Sequence, residues 1–329
     1  MGSTIGIIGA GMAGLTAAHQ LKQEGYEVTV FEKSTSPGGR MATRRVGNGR
    51  MDHGAVFFTV RTEAFQKQVD EWVNEGAARH WFGDDHPRYV GTEGMNPLMK
   101  QYAKGLTIQL ETKITDIQYE DDKVMVADEN GNRHLFDSVV LTSPLPQTIE
   151  VLNGSTLPIS KDQRAELGKI TFEPSYVGLF DLKFPVEIGE KGLLDDDLPK
   201  GILKIVANDQ KGITDSPLVS VYMDGEWTKS HDSESKADIL SDILNRFRRA
   251  VPDQEVAIAA KQLKRWQYSQ AEAFFPATYV KLDHLPVYLA GDCFLDPDDE
   301  AAGSRVESAY LSGVDVAGAI HKDRKDAVK

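Results

Sequence analysis

The sequence holds a single cysteine, Cys293, among 329 residues. One thiol forms no intrachain disulfide and cannot assemble a cysteine-built zinc or iron–sulfur site, and no metal is expected; a reducing compartment is permitted. Positive charge is also scarce, with 37 Lys and Arg against 50 Asp and Glu, a formal net charge of -13. Phosphate backbones are held by clustered Lys and Arg, so this balance argues against nucleic acid or an anionic membrane as partner. No apolar run approaches the roughly 20 residues of a membrane span. The first apolar stretch, Thr4 to Ile8, runs into glycines with no basic segment ahead of it, and the expected location is cytoplasmic. Internal repeats and long low-complexity segments are lacking too; the acidic run at Asp195, Asp196 and Asp197 reads as a solvated loop.

What is present is ordinary for a globular chain: 40% hydrophobic and 26% charged residues, enough for one large α/β unit with an embedded second domain. Thr4 to Ile8 reads as a buried strand, Met12 to Gln23 as a helix with Leu15, Ala18 and Leu21 inward, and Val28 to Phe31 as a second strand, a βαβ unit. From Lys113 to Thr142 short β-rich runs follow one another, with an Asn130-Gly131 turn, ending in the apolar Val139-Val140-Leu141. Tyr176 to Leu182, Ile202 to Val206 and Leu218 to Met223 read as strands backed by a helix from about Glu234 to Ala250. Arg246, Arg248 and Arg249 on that helix have acidic neighbours and read as a solvated face. Val287 to Ala290 is another buried strand, and a small-residue helix runs from about Arg305 to Ile320.

The fold expected is therefore α/β: a Rossmann-type dinucleotide-binding domain with a β-meander, plus an inserted α+β substrate domain. The dinucleotide domain is placed at 1–72, 94–160 and 285–329, and the substrate domain at 73–93 and 161–284. Gly9-Ala10-Gly11-Met12-Ala13-Gly14 lies between a strand and a helix, where backbone N–H groups and the helix dipole hold a pyrophosphate. Glu32 ends the second strand roughly 20 residues on, where an acid accepts hydrogen bonds from an adenosine ribose. A second glycine cluster, Pro37-Gly38-Gly39-Arg40-Met41, follows closely.

That second cluster resembles the flavin-containing amine oxidase superfamily, in which a Gly-Gly-Arg segment lies along the FAD diphosphate and ribityl chain. Further matches come in the superfamily's order: Asp52-His53-Gly54-Ala55, Gly94-Met95 with Leu98, Val139 to Pro144, and Ala290-Gly291-Asp292. Within it the chain resembles bacterial renalases through Phe58-Thr59-Val60-Arg61, Tyr89 to Met95, Arg265 to Gln270 and Arg305 to Gly313. The resemblance implies non-covalent FAD held by Gly9, Ala10, Gly11, Met12, Ala13, Gly14, Glu32, Lys33, Gly38, Gly39, Arg40, Met41, Gly54, Ala55, Met95, Ile114, Asp292, Val306 and Glu307. Asp292 would hydrogen-bond a ribityl hydroxyl, Ile114 would meet the adenine through its backbone, and the helix beginning at Val306-Glu307 would aim its N-terminus at the flavin pyrimidine. Val56, Phe57 and Ser308 depart from the pattern, standing where relatives carry Gln-Tyr and glycine.

The activity implied is oxidation of 2- or 6-dihydro-NAD(P) isomers, with molecular oxygen reduced to hydrogen peroxide. The alternatives are a flavin amine oxidase or dehydrogenase, and a flavin-binding redox sensor without fast turnover. Arg305, where many amine oxidases place a cage tyrosine, would repel a cationic amine; the bland reading pairs it with Glu307 or Asp292. His53 is a weak candidate for catalysis, because an isolated histidine is more often a satisfied structural group. Phe58, Trp81 and Tyr89 are the candidate walls of the substrate pocket. Cys293, beside Asp292, reads as a small buried hydrophobe rather than a covalent flavin link.

Overall fold

The computed structural model describes residues 3–47, 49–85, 87–299 and 303–327. Its centre is a six-stranded sheet in the order Val280–Lys281, Val287–Leu289, Ser138–Leu141, Thr4–Ile8, Glu27–Phe31 and Thr107–Gln109. All neighbours pair in parallel except the Val280–Lys281 edge strand. A parallel sheet is covered on both faces, which is why Ile5, Ile7, Val139, Val140 and Leu289 are fully buried and the strands read as unbroken apolar runs.

The helix Met12–Gln23 covers one face together with the long helix Val306–Ala327. Their close crossing depends on Gly313, where a Cβ would stand 2.5 Å from the Ala13 carbonyl oxygen. The last helix extends seven residues past the expected stop at Ile320, into a polar segment whose last turn carries Arg324 and Lys325. Basic residues there complement the negative helix C-terminus, so polarity does not end it. The other face carries the three-stranded meander of Ile114–Glu120, Lys123–Asp128 and Arg133–Phe136.

Within the segment 161–284, residues 172–271 build an antiparallel five-stranded sheet in the order Leu193–Leu194, Ile202–Ala207, Leu218–Met223, Phe172–Leu182 and Ile258–Ala271, whereas Val280–Lys281, expected in this half, joins the central sheet. The helix Lys236–Ala250 backs it with Ile239, Ile243 and Phe247, after Ser235 caps its N-terminus by accepting from the Asp238 N–H. The strand Phe172–Leu182 starts four residues before the expected Tyr176, because its pairing with Ile258–Ala271 continues across an irregularity at Glu173/Ser175.

Residues 73–93 touch both halves. Ala78–Phe82 and Arg88–Gly91 form a small sheet with Phe58–Thr59. Ala77 and Ala78 join the core beneath the parallel sheet, whereas Trp81 and Phe82 pack against Val177, Leu179 and Tyr222 of the antiparallel sheet.

Candidate FAD and substrate site

The two glycine clusters meet over the N-terminus of the first helix. Gly9 has φ of 112°, and a Cβ on Gly14 would lie 2.0 Å from the Gly9 carbonyl oxygen, so only glycine lets the helix start this close to its strand. Gly11, the helix N-cap, is different: a Cβ there meets nothing within 4 Å. Above this space sits Gly39, with φ of 54°, and the Gly38 N–H donates to the Ala10 carbonyl at 2.8 Å. An open cradle of backbone N–H groups at the positive end of a helix is the environment a diphosphate needs. Met12 and Ala13 form the first buried turn and Met41 is buried behind the loop.

Glu32 is buried and both its oxygens are engaged, one by the Ala10 N–H at 3.0 Å and one by the Ser34 N–H at 2.9 Å. It therefore ties the glycine turn to the second strand. Lys33 is exposed and donates to Gln147 at 2.9 Å. Ile114 is buried at the start of its strand.

Arg40 links the glycine loop to the far end of the sheet. Its guanidinium makes a two-pronged pair with Asp292, with Nη1 to Oδ2 at 2.8 Å, and also donates to the Ser269 carbonyl at 3.2 Å. The Arg40 carbonyl accepts from the Ala55 N–H at 2.9 Å, and a Cβ on Gly54 would stand 1.8 Å from that oxygen. The Gly-Gly-Arg and Asp-His-Gly-Ala segments thus lie edge to edge. The Cys293 thiol is buried, and burial pushes its proton affinity up, so it stays protonated.

Beneath this edge lies a cluster that sequence reading missed. Asp52 and Lys211 form an ion pair at 2.5 Å with both side chains fully buried. Lys211 also donates to the Val56 carbonyl, and its ammonium sits 5.6 Å from the centre of the Trp81 ring. Asp52 further accepts from Thr43 and from the Met95 N–H at 3.0 Å, while its own carbonyl accepts from Ser220 at 2.7 Å and Tyr222 at 2.9 Å. Asn208 accepts the Asp52 N–H at 3.0 Å. Burial holds the Lys211 ammonium below its ordinary range against the pull of Asp52, and pushes the Tyr222 phenol upward. The loop that carries His53, Gly54 and Ala55 is therefore gripped by the antiparallel sheet. Lys211 stands in the polar turn Asn208-Asp209-Gln210-Lys211-Gly212, which reads as solvated; only its following a buried strand hinted otherwise.

His53 stacks on Trp266 with centroids 5.5 Å apart, its carbonyl accepts from the Trp266 indole at 2.6 Å, and its Nδ1 is buried without a partner among the described residues. Burial, then the charge of Lys264 and Arg44, lowers its pKa to about 4 against a smaller opposing pull from Asp52. The folded value lies below the ordinary 6.5, so His53 contributes stability that is present above pH 6.5 and is lost as pH falls towards 4. Urea unfolding of the FAD-free protein across that window should show a loss of roughly 3 kcal/mol that His53→Gln lacks. Equal pH slopes for the two proteins would defeat this assignment.

At the start of the last helix, Arg305 pairs with Asp299 through Nη2, not with Glu307 or Asp292. Asp292 is taken by Arg40, and Glu307 turns away to accept from the Arg61 N–H at 3.0 Å and from the Thr62 N–H and hydroxyl, each at 2.8 Å. Nε and Nη1 of Arg305, Oε2 of Glu307 and Oγ of Ser308 are buried without partners among the described residues. Ser304 and Arg40 are joined through one strand end, since Gln270 donates to the Ser304 carbonyl at 3.1 Å next to the Ser269 contact of Arg40. Val306 is partly buried against the core.

The aromatic candidates separate. Trp81 and Tyr89 are partly exposed, but Phe58 is a correction: it is 3% exposed, packed against Phe65, Trp72 and Tyr89 in the core, because its short strand faces the last helix. Met95 is likewise core, at the N-terminus of the helix Met95–Tyr102.

These features agree with what is found among known proteins. Residues 69–321 match the family described as flavin containing amine oxidoreductase, and residues 7–74 match an NAD(P)-binding Rossmann-like domain. The chain belongs to the flavin containing amine oxidoreductase family. It is 23% identical to the renalase of Mus musculus over 82% of this chain and 85% of that protein. A shorter match, 37% identity over 30% of this chain and 17% of the relative, is to the flavin-dependent L-tryptophan oxidase RebO of Lentzea aerocolonigenes. A solved putrescine oxidase triple mutant, redesigned in its cofactor binding, shares the fold with TM-score 0.71 at 12% identity, covering 97% of this chain and 98% of its own. The protein is an FAD-dependent oxidoreductase of that family, and the open cradle at Gly11 fits that cofactor.

Proposed function

We propose that the protein oxidises dihydronicotinamide dinucleotides whose reactive hydrogen is at C2 or C6 of the ring, giving NAD(P)+ while molecular oxygen becomes hydrogen peroxide. Per turnover the substrate gives up a hydride, and that hydride, one proton and oxygen make the peroxide. FAD, when bound, accepts the hydride and passes its electrons to oxygen. The cofactor's diphosphate would lie over Gly11 and Gly39, its ribose against Glu32, its ribityl chain by Asp292 and Arg40, and its ring by Gly54, Ala55 and the helix N-terminus at Val306. Loss of hydride from a dihydropyridine creates an aromatic pyridinium, so no side chain has to remove a proton. His53, lowered to about 4, has little driving force to act as a base and is assigned the orienting of its loop on Trp266.

The observation that carries this reading is Arg305, a part-buried guanidinium at the start of the last helix whose Nη2 is held by Asp299 while Nε and Nη1 have no partner among the described residues. Together with the positive helix terminus it puts charge where electrons accumulate and opposes a cationic amine. Trp81 and Tyr89 are assigned to the substrate side.

The test is anaerobic stopped-flow absorbance of the FAD-loaded protein mixed separately with 2- or 6-dihydro-NAD(P), ordinary NAD(P)H and primary amines. Rapid bleaching by the isomers, with peroxide on admitting air, is the expected result. Bleaching by amines alone, or by none of these, overturns it. Arg305→Ala should slow bleaching by the isomers at least about tenfold, roughly 1.4 kcal/mol of barrier, with FAD retained. An unchanged rate would remove Arg305 from the site.

A further inference from the structure

We infer that the groove between the hairpin Thr43–Val46/Gly49–Asp52 and the helix Met95–Tyr102 is a second binding site, for an organic di- or triphosphate. The groove has a volume of about 500 Å³, within the range of small-molecule sites. Among the described residues five cations line it, Arg44, Arg45 and Arg50 from the hairpin, Lys100 from the helix and Lys104 just past its C-cap, against one lining acid, Glu93. Glu93 is 64% exposed and pairs with Arg50 at 2.9 Å. Among the described residues no carboxylate forms an ion pair with Arg44, Arg45, Lys100 or Lys104. Glu75 accepts from Gln101 of the groove wall at 3.1 Å, and the buried Asp52 accepts from Thr43 behind it.

In a chain of net charge -13, unpaired cations scattered on the surface would sit among acids. Gathered around one concavity, they raise the local anion concentration. They come from both walls of the groove, so a single phosphate cannot reach them all, whereas a chain of two or three phosphates can bridge the walls. Pro97 adds apolar surface for the organic part.

The groove is distinct from the cofactor cradle but shares a wall with it. Asn96 lines the groove, donates to the Pro37 carbonyl at 2.6 Å, accepts from Ser36 at 3.2 Å, and donates its N–H to Thr43 at 2.9 Å. Thr43 in turn bonds Asp52. An occupant therefore bears directly on the loop preceding Gly38 and on the Asp52 anchor.

Calorimetric titration of ADP into FAD-loaded protein at low ionic strength tests this without reference to the redox substrate. One site is expected, with no binding of adenosine. Arg45→Glu and Lys100→Glu, both on exposed positions outside the catalytic machinery, should each weaken ADP at least about tenfold, while Arg305→Ala leaves it unchanged. Failure of ADP to bind overturns the assignment. So does binding that survives both charge reversals, or that is lost with Arg305→Ala, because ADP would then sit in the catalytic cleft. Inorganic sulfate binding as tightly as ADP reduces the groove to a general anion patch and also overturns it.

Discussion

Lys211→Met lowers the free energy of unfolding by about 3–5 kcal/mol, the cost of leaving one member of a buried ion pair without its partner. Methionine nearly fills the space of the lysine stem but leaves the Asp52 carboxylate, fully buried, with only Thr43 and the Met95 N–H, and leaves the Val56 carbonyl unbonded. Buried pairs are weak evidence of net stabilisation, because both ions lose their hydration on folding. The double variant Lys211→Met/Asp52→Asn should therefore recover at least half the loss, its amide oxygen still accepting from Thr43 and Met95. Denaturant unfolding of the two variants against the parent measures the coupling. A single-variant loss below about 1 kcal/mol would mean that Lys211 finds water when the pair is broken, and that the cluster does not hold the His53–Ala55 loop.

The cofactor half of the molecule was legible in the sequence because its constraints are local. A glycine that must turn, a glycine that must leave space and an acid at a strand end each act within a few residues, so Gly9, Gly11, Gly14 and Glu32 announce themselves by spacing. The parallel strands were equally plain, since burial on both faces leaves runs such as Val139-Val140-Leu141. What was not legible depends on partners far along the chain. Asp52 and Lys211 are joined across 159 residues, so no spacing marks them. Phe58 misled for the same reason: its strand is two residues long, and Phe65, Trp72 and Tyr89 packed around the ring, not its own spacing, decide which way it turns. Glu307 shows how a motif position and a side chain separate, for the helix starts where expected while the carboxylate ties down Arg61 and Thr62.

Gly11→Asp abolishes FAD retention while leaving the fold intact, and Gly14→Ala does the reverse in kind. Gly11 has φ of -79° and ψ of -174°, extended backbone open to any residue, and its Cβ direction is clear for 4 Å. It is also a helix N-cap with no capping side chain, a position where aspartate is favoured, so the FAD-free variant should be as stable as the parent or a few tenths of a kcal/mol more so. The same carboxylate would project into the space assigned to the diphosphate. Like-charge repulsion there should weaken FAD by about 100-fold or more, roughly 2.7 kcal/mol. Gly14→Ala instead drives a methyl group to 2.0 Å from the Gly9 carbonyl, which must move strand or helix at a cost of about 3 kcal/mol even without cofactor. Unfolding curves of both FAD-free variants, with FAD affinity from fluorescence quenching, separate the two effects. Normal FAD binding by a folded Gly11→Asp protein would show that the diphosphate lies elsewhere. An unstable FAD-free Gly11→Asp protein would show instead that the cradle is not open.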